Sequence, residues 1–359
     1  MSDYKANNEE AEVNIKDDPK AFWKFVKDNG AGVAEYSKLG EKTAFNKKDA
    51  ANLFAEHFSS VYESDGMDDL RAEPSMEQSS WNELSIPMCS VYEKLQSLDT
   101  KKSSGPDKLP PLFFRRCAAA LTFPLYTILN DSLKLGCFPS RWKLAHVTPI
   151  HKDGSRHDAR NYRPISKLSI AAKVFDNLIA DEIFERFQHD IIPQQHGFFK
   201  KRSTVTNLFD YTERLQKSLD NSGQTDVVYT DFSKAFDKVN HSKLIEKLHN
   251  LGIGGKLLEW FRSYITKRVQ KVQIGESFSF DINVVSSVVQ GSHLGPILFS
   301  LFINDISEIL NDVEFCVFAD DLKIHKAIHD EKSHCKQIWT GFISTCVKTA
   351  SHLTSRNAL

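Results

Sequence analysis

The chain has 359 residues, 41% of them hydrophobic and 26% charged, with a net charge of −1. That composition excludes wholesale disorder and allows two or three packed units with a sizeable core. No apolar run approaches the roughly 18 residues of a membrane span, and the polar, acidic start MSDYKANNEE is neither a signal nor a transit peptide.

Residues 1–20 are charged, and Ala21, Phe22, Phe25 and Val26 then fall on one helical face. A second helix is predicted over 46–62, with Ala50, Leu53, Phe54, His57, Phe58 and Val61 in register. Residues 63–80 read as an acidic linker, 90–98 as a short helix and 101–111 as a turn rich in Lys, Ser, Gly and Pro. The net charge hides a reversal: residues 1–100 carry 11 Lys/Arg against 20 Asp/Glu, and 101–202 carry 18 against 9. The basic stretch is either a phosphate-binding surface or a Lys-rich solvated one. Periodicity predicts a helix over 112–136 that stops at Gly136, a strand over 144–151, helices over 165–189 and 203–219, and a short strand over 226–231. Helices over 243–252 and 255–266, strands over 270–274 and 278–289, and a helix over 296–310 follow. Two strand-like runs, 314–318 and 322–328, flank Ala319, Asp320 and Asp321. The six cysteines show no C-x-x-C spacing, so buried free thiols are expected rather than disulfides or a zinc site.

Two adjacent aspartates in an apolar β context need an explanation, because like charges this close repel. The bland one is a hairpin turn, where Asp is common. The functional one is a pair of divalent-cation ligands at a hairpin tip. Asp231 ends the apolar run DVVYT, 89 residues before Asp320. If the two strands are neighbours, their carboxylates converge. Magnesium takes hard oxygen ligands, usually one or two carboxylates plus substrate phosphates.

The surrounding blocks carry more information than the spacing. DFSKAFDKVNH over 231–241 resembles motif A of the reverse transcriptases of non-LTR (LINE-type) retrotransposons. QGSHLGPILF over 290–299 resembles their motif B, and LFINDI over 301–306 its continuation in jockey-like elements. FADD over 318–321 resembles motif C. GPD at 105–107, TPIHKDG at 148–154, NYRPIS at 161–166 and QHGF at 195–198 resemble the upstream and fingers blocks, in the family's order.

That resemblance implies an α/β fold: right-hand polymerase fingers and a palm with an antiparallel sheet backed by helices, the thumb missing. It divides the chain into a helical N-terminal extension (1–100), fingers (101–225), a palm (226–336) and an aberrant tail (337–359). It implies that Asp231 and Asp320 bind two Mg²⁺ ions, with Mn²⁺ able to substitute, and that Asp321 lines the same site or supports the turn. Phe236 would exclude the 2′-hydroxyl, Gln290 and Gly291 would meet the nucleotide, and Lys152 and Arg163 would grip its triphosphate or serve as surface cations. The implied partners are an RNA template, a DNA primer and dNTP. Arg262, Lys267, Arg268 and Lys271, interleaved with Trp260, Phe261 and Tyr264, could track a template–primer backbone or form a solvated helix face. Three departures stand out: Val289 where the family usually has Pro, a chain expected to be truncated at both ends, and a run after about 336 that suggests a frameshift. A thumbless product would have little processive activity. The alternative is an inactive remnant that at most binds RNA.

Overall fold

The computed structural model describes residues 36–62, 80–222, 225–232, 234–310 and 313–327. The helix expected around 21–26, nearly all of the acidic linker and the tail from 337 lie outside them. In chain order the elements are β1 (Ser37–Leu39), β2 (Lys42–Ala44), α1 (Lys47–Ser59), α2 (Met88–Gln96), α3 (Pro111–Arg116), α4 (Ala118–Leu135), β3 (Leu144–His151) and β4 (Tyr162–Lys167). Then come α5 (Ile170–Phe187), α6 (Thr204–Ser222), β5 (Thr225–Asp231), α7 (His241–Asn250), α8 (Gly255–Ile265), β6 (Arg268–Ile274), β7 (Ser277–Phe278) and β8 (Ile282–Val284). Last are α9 (Leu294–Phe302), α10 (Ile306–Ile309), β9 (Glu314–Phe318) and β10 (Asp321–Ala327). The fold is α/β with more than one sheet. No described helix is long and apolar enough to cross a membrane.

The chain divides into two compact units. Among the described residues the first comprises 36–60, 147–165 and 271–282. In it β1 pairs antiparallel with β2. Asn46 caps α1 by accepting the Asp49 amide at 2.8 Å, as its side-chain oxygen should. α1 buries Leu53, Phe54 and Phe58, and the Phe54 ring meets Tyr162 edge-on at 4.9 Å. The sheet carried mainly by this unit has the order β4-β3-β6-β7, with β8 on β6.

The second unit holds the other described residues, and its core surrounds α5. Twelve of the eighteen α5 residues are buried. Phe175 packs on Trp260 of α8 at 5.2 Å, and Phe138 packs on Tyr264 at 5.1 Å. Each such ring buried contributes about 1.5–3 kcal/mol, so this aromatic cluster is a principal source of stability. A three-stranded antiparallel sheet, β5-β10-β9, lies in the same unit, with α6 packed along it.

Several expected elements are redrawn. Residues 165–167 belong to strand β4, not to a helix. The helix starts only at Ile170, where Ser169 caps it by accepting the Ala172 N–H. The helix expected over 112–136 is broken at Cys117, but it ends as predicted at Gly136, which adopts a left-handed φ of 66°. The helix expected over 296–310 splits after Phe302, where the Asn304 side chain turns away to bond Ile192 and Asp190. Of the strand expected over 278–289, only 282–284 and the first residue are β. Residues 286–288 run instead along the 236–239 turn, with Ser287 N–H donating to Val239 O and Val288 N–H to Phe236 O. All four described cysteines are free, yet only Cys316 is buried; Cys89 and Cys137 are exposed. The expectation of buried thiols fails for those two, Cys89 in the first turn of α2 and Cys137 just past the end of α4.

Candidate active site

β10 is the middle strand of its sheet, with β5 on one side and β9 on the other. Asp321, its first residue, is the Cα partner of Asp231 on β5 and of Phe318 on β9. Ala319 and Asp320 therefore form a two-residue hairpin loop. Phe232 N–H donates to Asp320 O at 3.4 Å, tying the residue after Asp231 to the loop. Of the two loop residues only Ala319 has a positive φ, 59°. Glycine is usual at that position of a type II′ turn, and an L-residue with a left-handed φ costs about 1–2 kcal/mol. Asp320 is half-buried and Asp321 exposed. The hairpin turn expected above is present, and its backbone register sets Asp321 opposite Asp231.

The outer edge of β9 is covered by the QHGF block. His196 N–H donates to Val317 O at 2.8 Å, and Val317 N–H donates to Gln194 O at 2.9 Å. Between them the fully buried Gln195 side chain accepts the Ala319 N–H at 3.0 Å.

The turn after β5 carries Phe236 and Asp237. The Phe236 ring stacks on Phe299 at 4.7 Å and meets Phe198 edge-on at 5.9 Å. Asp237 is 6% exposed and accepts the Gln290 side-chain N–H at 2.7 Å. Burial raises its pKa to about 6, against the opposing effects of Lys234 and the Gln290 bond. Gln290 O in turn accepts Ser166 N–H at 2.9 Å. Gly291 has φ 99°, which disfavours any residue with a side chain.

Residues 150–353 match the reverse transcriptase (RNA-dependent DNA polymerase) family. The chain belongs to that family. It is similar to a probable RNA-directed DNA polymerase from transposon BS of Drosophila melanogaster, at 30% identity over 281 residues, covering 74% of this chain and 30% of the relative. It is similar to the one from transposon X-element of the same species, at 28% identity, covering 65% and 26%. A third relative is the RNA-directed DNA polymerase from mobile element jockey of Drosophila melanogaster, at 30% identity, covering 67% and 28%. The chain thus spans less than a third of the length of these curated relatives.

Reverse transcriptases generally use divalent metal ions. Among the described residues no group of three or more His, Cys, Asp and Glu is placed to hold one. The donors at the hairpin nevertheless fit such an ion. They are hard carboxylate oxygens, and magnesium needs only one or two of them beside substrate phosphates. Aspartates in register also repel one another, a strain that a bound cation relieves.

The N-terminus of α9 is held by Asp176, which sequence reasoning passed over. This carboxylate, 1% exposed, accepts Tyr264 O–H at 2.6 Å, His293 N–H at 2.6 Å and Leu294 N–H at 3.3 Å. An acidic residue inside an apolar helix was the available signal, since Asp is almost never fully buried unless paired.

Lys152 and Arg163 belong to the first unit, where both are exposed on the β3–β4 arm. Lys152 N–H closes that arm by donating to Asn161 O at 2.8 Å. The aromatic members of the basic tract and Arg268 are a correction, whereas Lys267 is exposed and Arg262 half-buried. Trp260, Phe261 and Tyr264 are at most 1% exposed, and Arg268, 3% exposed, lies over the Tyr264 and Phe138 rings. They form core, so they cannot stack on bases. Lys271 pairs with Asp281 at 3.0 Å.

Proposed function

We propose that this chain is the fingers and palm of an RNA-directed DNA polymerase from a non-LTR retrotransposon. Its substrates would be an RNA template, a DNA primer and dNTPs. The observation that carries the reading is the register: Asp231 stands opposite Asp321, with Asp320 in the adjoining loop, inside a reverse transcriptase sequence. Registered partners lie on one face of an antiparallel pair, so three carboxylate residues gather at one end of this sheet.

Asp231 and Asp320 would hold two Mg²⁺ ions, with Asp321 beside them. Bound magnesium would lower the pKa of the primer 3′ hydroxyl and neutralise charge on the phosphate under attack. The chain's own residues supply the rest. Phe236 is braced by Phe299 and Phe198, and there it would pack against the sugar and exclude a 2′-hydroxyl. Gln290 is held by Asp237, and the bare Gly291 backbone lets the nucleotide approach. Lys152 and Arg163, exposed cations of the first unit, are the residues that the family resemblance would assign to the triphosphate, Arg as a forked donor and Lys as a point charge.

The test is primer extension on an RNA template by the purified chain, beside Asp320→Asn. Magnesium-dependent extension that disappears in the variant is the expected result. RNA binding without extension in the wild type would favour a non-catalytic remnant instead.

A further inference from the structure

We infer that Gln195 is a positioning residue for the carboxylate hairpin: its buried amide, bonded to the backbone of Ala319, sets where Asp320 stands. The inference rests on the metal-binding reading of Asp320 given above.

Gln195 is 1% exposed. Its Oε1 accepts two backbone N–H groups, from Gly197 at 2.7 Å and from Ala319 at 3.0 Å. Its Nε2 lies 3.5 Å from Ala319 O, the carbonyl of the peptide that leads into Asp320. One side chain therefore meets both polar groups of the loop residue with the unfavourable φ. A strained φ persists only where its surroundings over-determine it, and here the surroundings are Gln195. The amide is itself anchored. Residues 194 and 196 bond both polar groups of Val317, two residues before the loop, and Arg202 donates to the carbonyls of Pro193 and Gln195. The clamp and the strand it clamps thus move as one piece.

Gly197 completes the device. A Cβ there would lie 2.2 Å from Ala319 N and 2.8 Å from its Cα. Gly197 is not among the residues with positive φ, so the requirement for glycine is the close approach, not the backbone conformation. Methionine at 195 would match the length of glutamine but could accept neither N–H. Alanine at 197 would keep the amide and push the loop away.

The test is Mn²⁺ binding by the full chain, read as free Mn²⁺ by electron paramagnetic resonance, with circular dichroism to verify the fold. Wild type, Asp320→Asn, Gln195→Met and Gly197→Ala are compared. Groups that orient a metal's ligands typically alter affinity about 10–100-fold when removed, and a loss in that range is expected for both Gln195→Met and Gly197→Ala. Folded Gln195→Met with wild-type affinity would overturn the inference. Should Gln195→Met not fold, Gly197→Ala decides, and unchanged affinity there overturns it equally. Failure of the metal-binding reading has a different signature: no Mn²⁺ bound by wild type, or none lost in Asp320→Asn, and the positioning role falls with it.

Discussion

Asp231 and Asp321 face each other as Cα partners at the end of the β5–β10 pair. Like charges directly opposite on neighbouring strands cost roughly 0.2–1 kcal/mol. In EDTA, Asp321→Asn should therefore melt at a higher temperature than wild type. With saturating Mg²⁺ the order should shrink or reverse, because the cation stabilises only the intact set. Thermal melts in both buffers check this. A variant that is less stable in EDTA would show that the pair is not under repulsive strain.

The Asp237 carboxyl has a folded pKa of about 6 against 3.8 when unperturbed, chiefly through burial. Between those values the folded chain holds a proton that the unfolded chain has released. Stability therefore falls as pH rises from about 4 to about 6 and is level above, by an amount on the order of 3 kcal/mol. Asp237→Asn keeps an acceptor for Gln290 and removes the charge. It should stabilise the chain at pH 7 and leave it unchanged at pH 4. Urea titrations across that range are the measurement, and an equal gain at both ends would contradict the account.

Phe236 lies half-buried between the rings of Phe299 and Phe198. Full truncation of a core Phe costs about 3–5 kcal/mol, so Phe236→Ala should cost about 2. The specific expectation is a higher ratio of ribonucleotide to deoxynucleotide incorporation than wild type, measured in parallel extension reactions. An unchanged ratio would leave Phe236 as packing alone.

Asp176 satisfies the Tyr264 hydroxyl and two backbone amides at the start of α9. Asp176→Ala strands buried donors, at about 1–3 kcal/mol each, so a loss of at least 3 kcal/mol is expected in a denaturant titration. Asp176→Asn retains one acceptor oxygen and should lose less. A cost below about 1 kcal/mol for the alanine variant would rule out the capping role.

Much of the candidate site was legible because its information is local. The apolar run ending at Asp231, the Ala-Asp-Asp between two strand-like runs, and the ordered blocks around them all depend on residues close in sequence. Even the late start of α5 at Ile170 had a local signal in Ser169, a residue type that caps helices. Cores are less legible. Trp260 and Tyr264, interleaved with cations, read equally well as a nucleic-acid surface. Only the docking of Phe138 and Phe175 against them makes them interior.

The sequence by itself determined the family, the strands that carry the aspartates and the residue types able to bind a cation. Tertiary structure alone decided that Asp231 and Asp321 stand in register, that a left-handed alanine precedes Asp320, and that Gln195, 124 positions upstream, holds it there. The reason is physical. Periodicity and turn chemistry act over a few residues, whereas a buried amide chooses its partner by where packing delivers it.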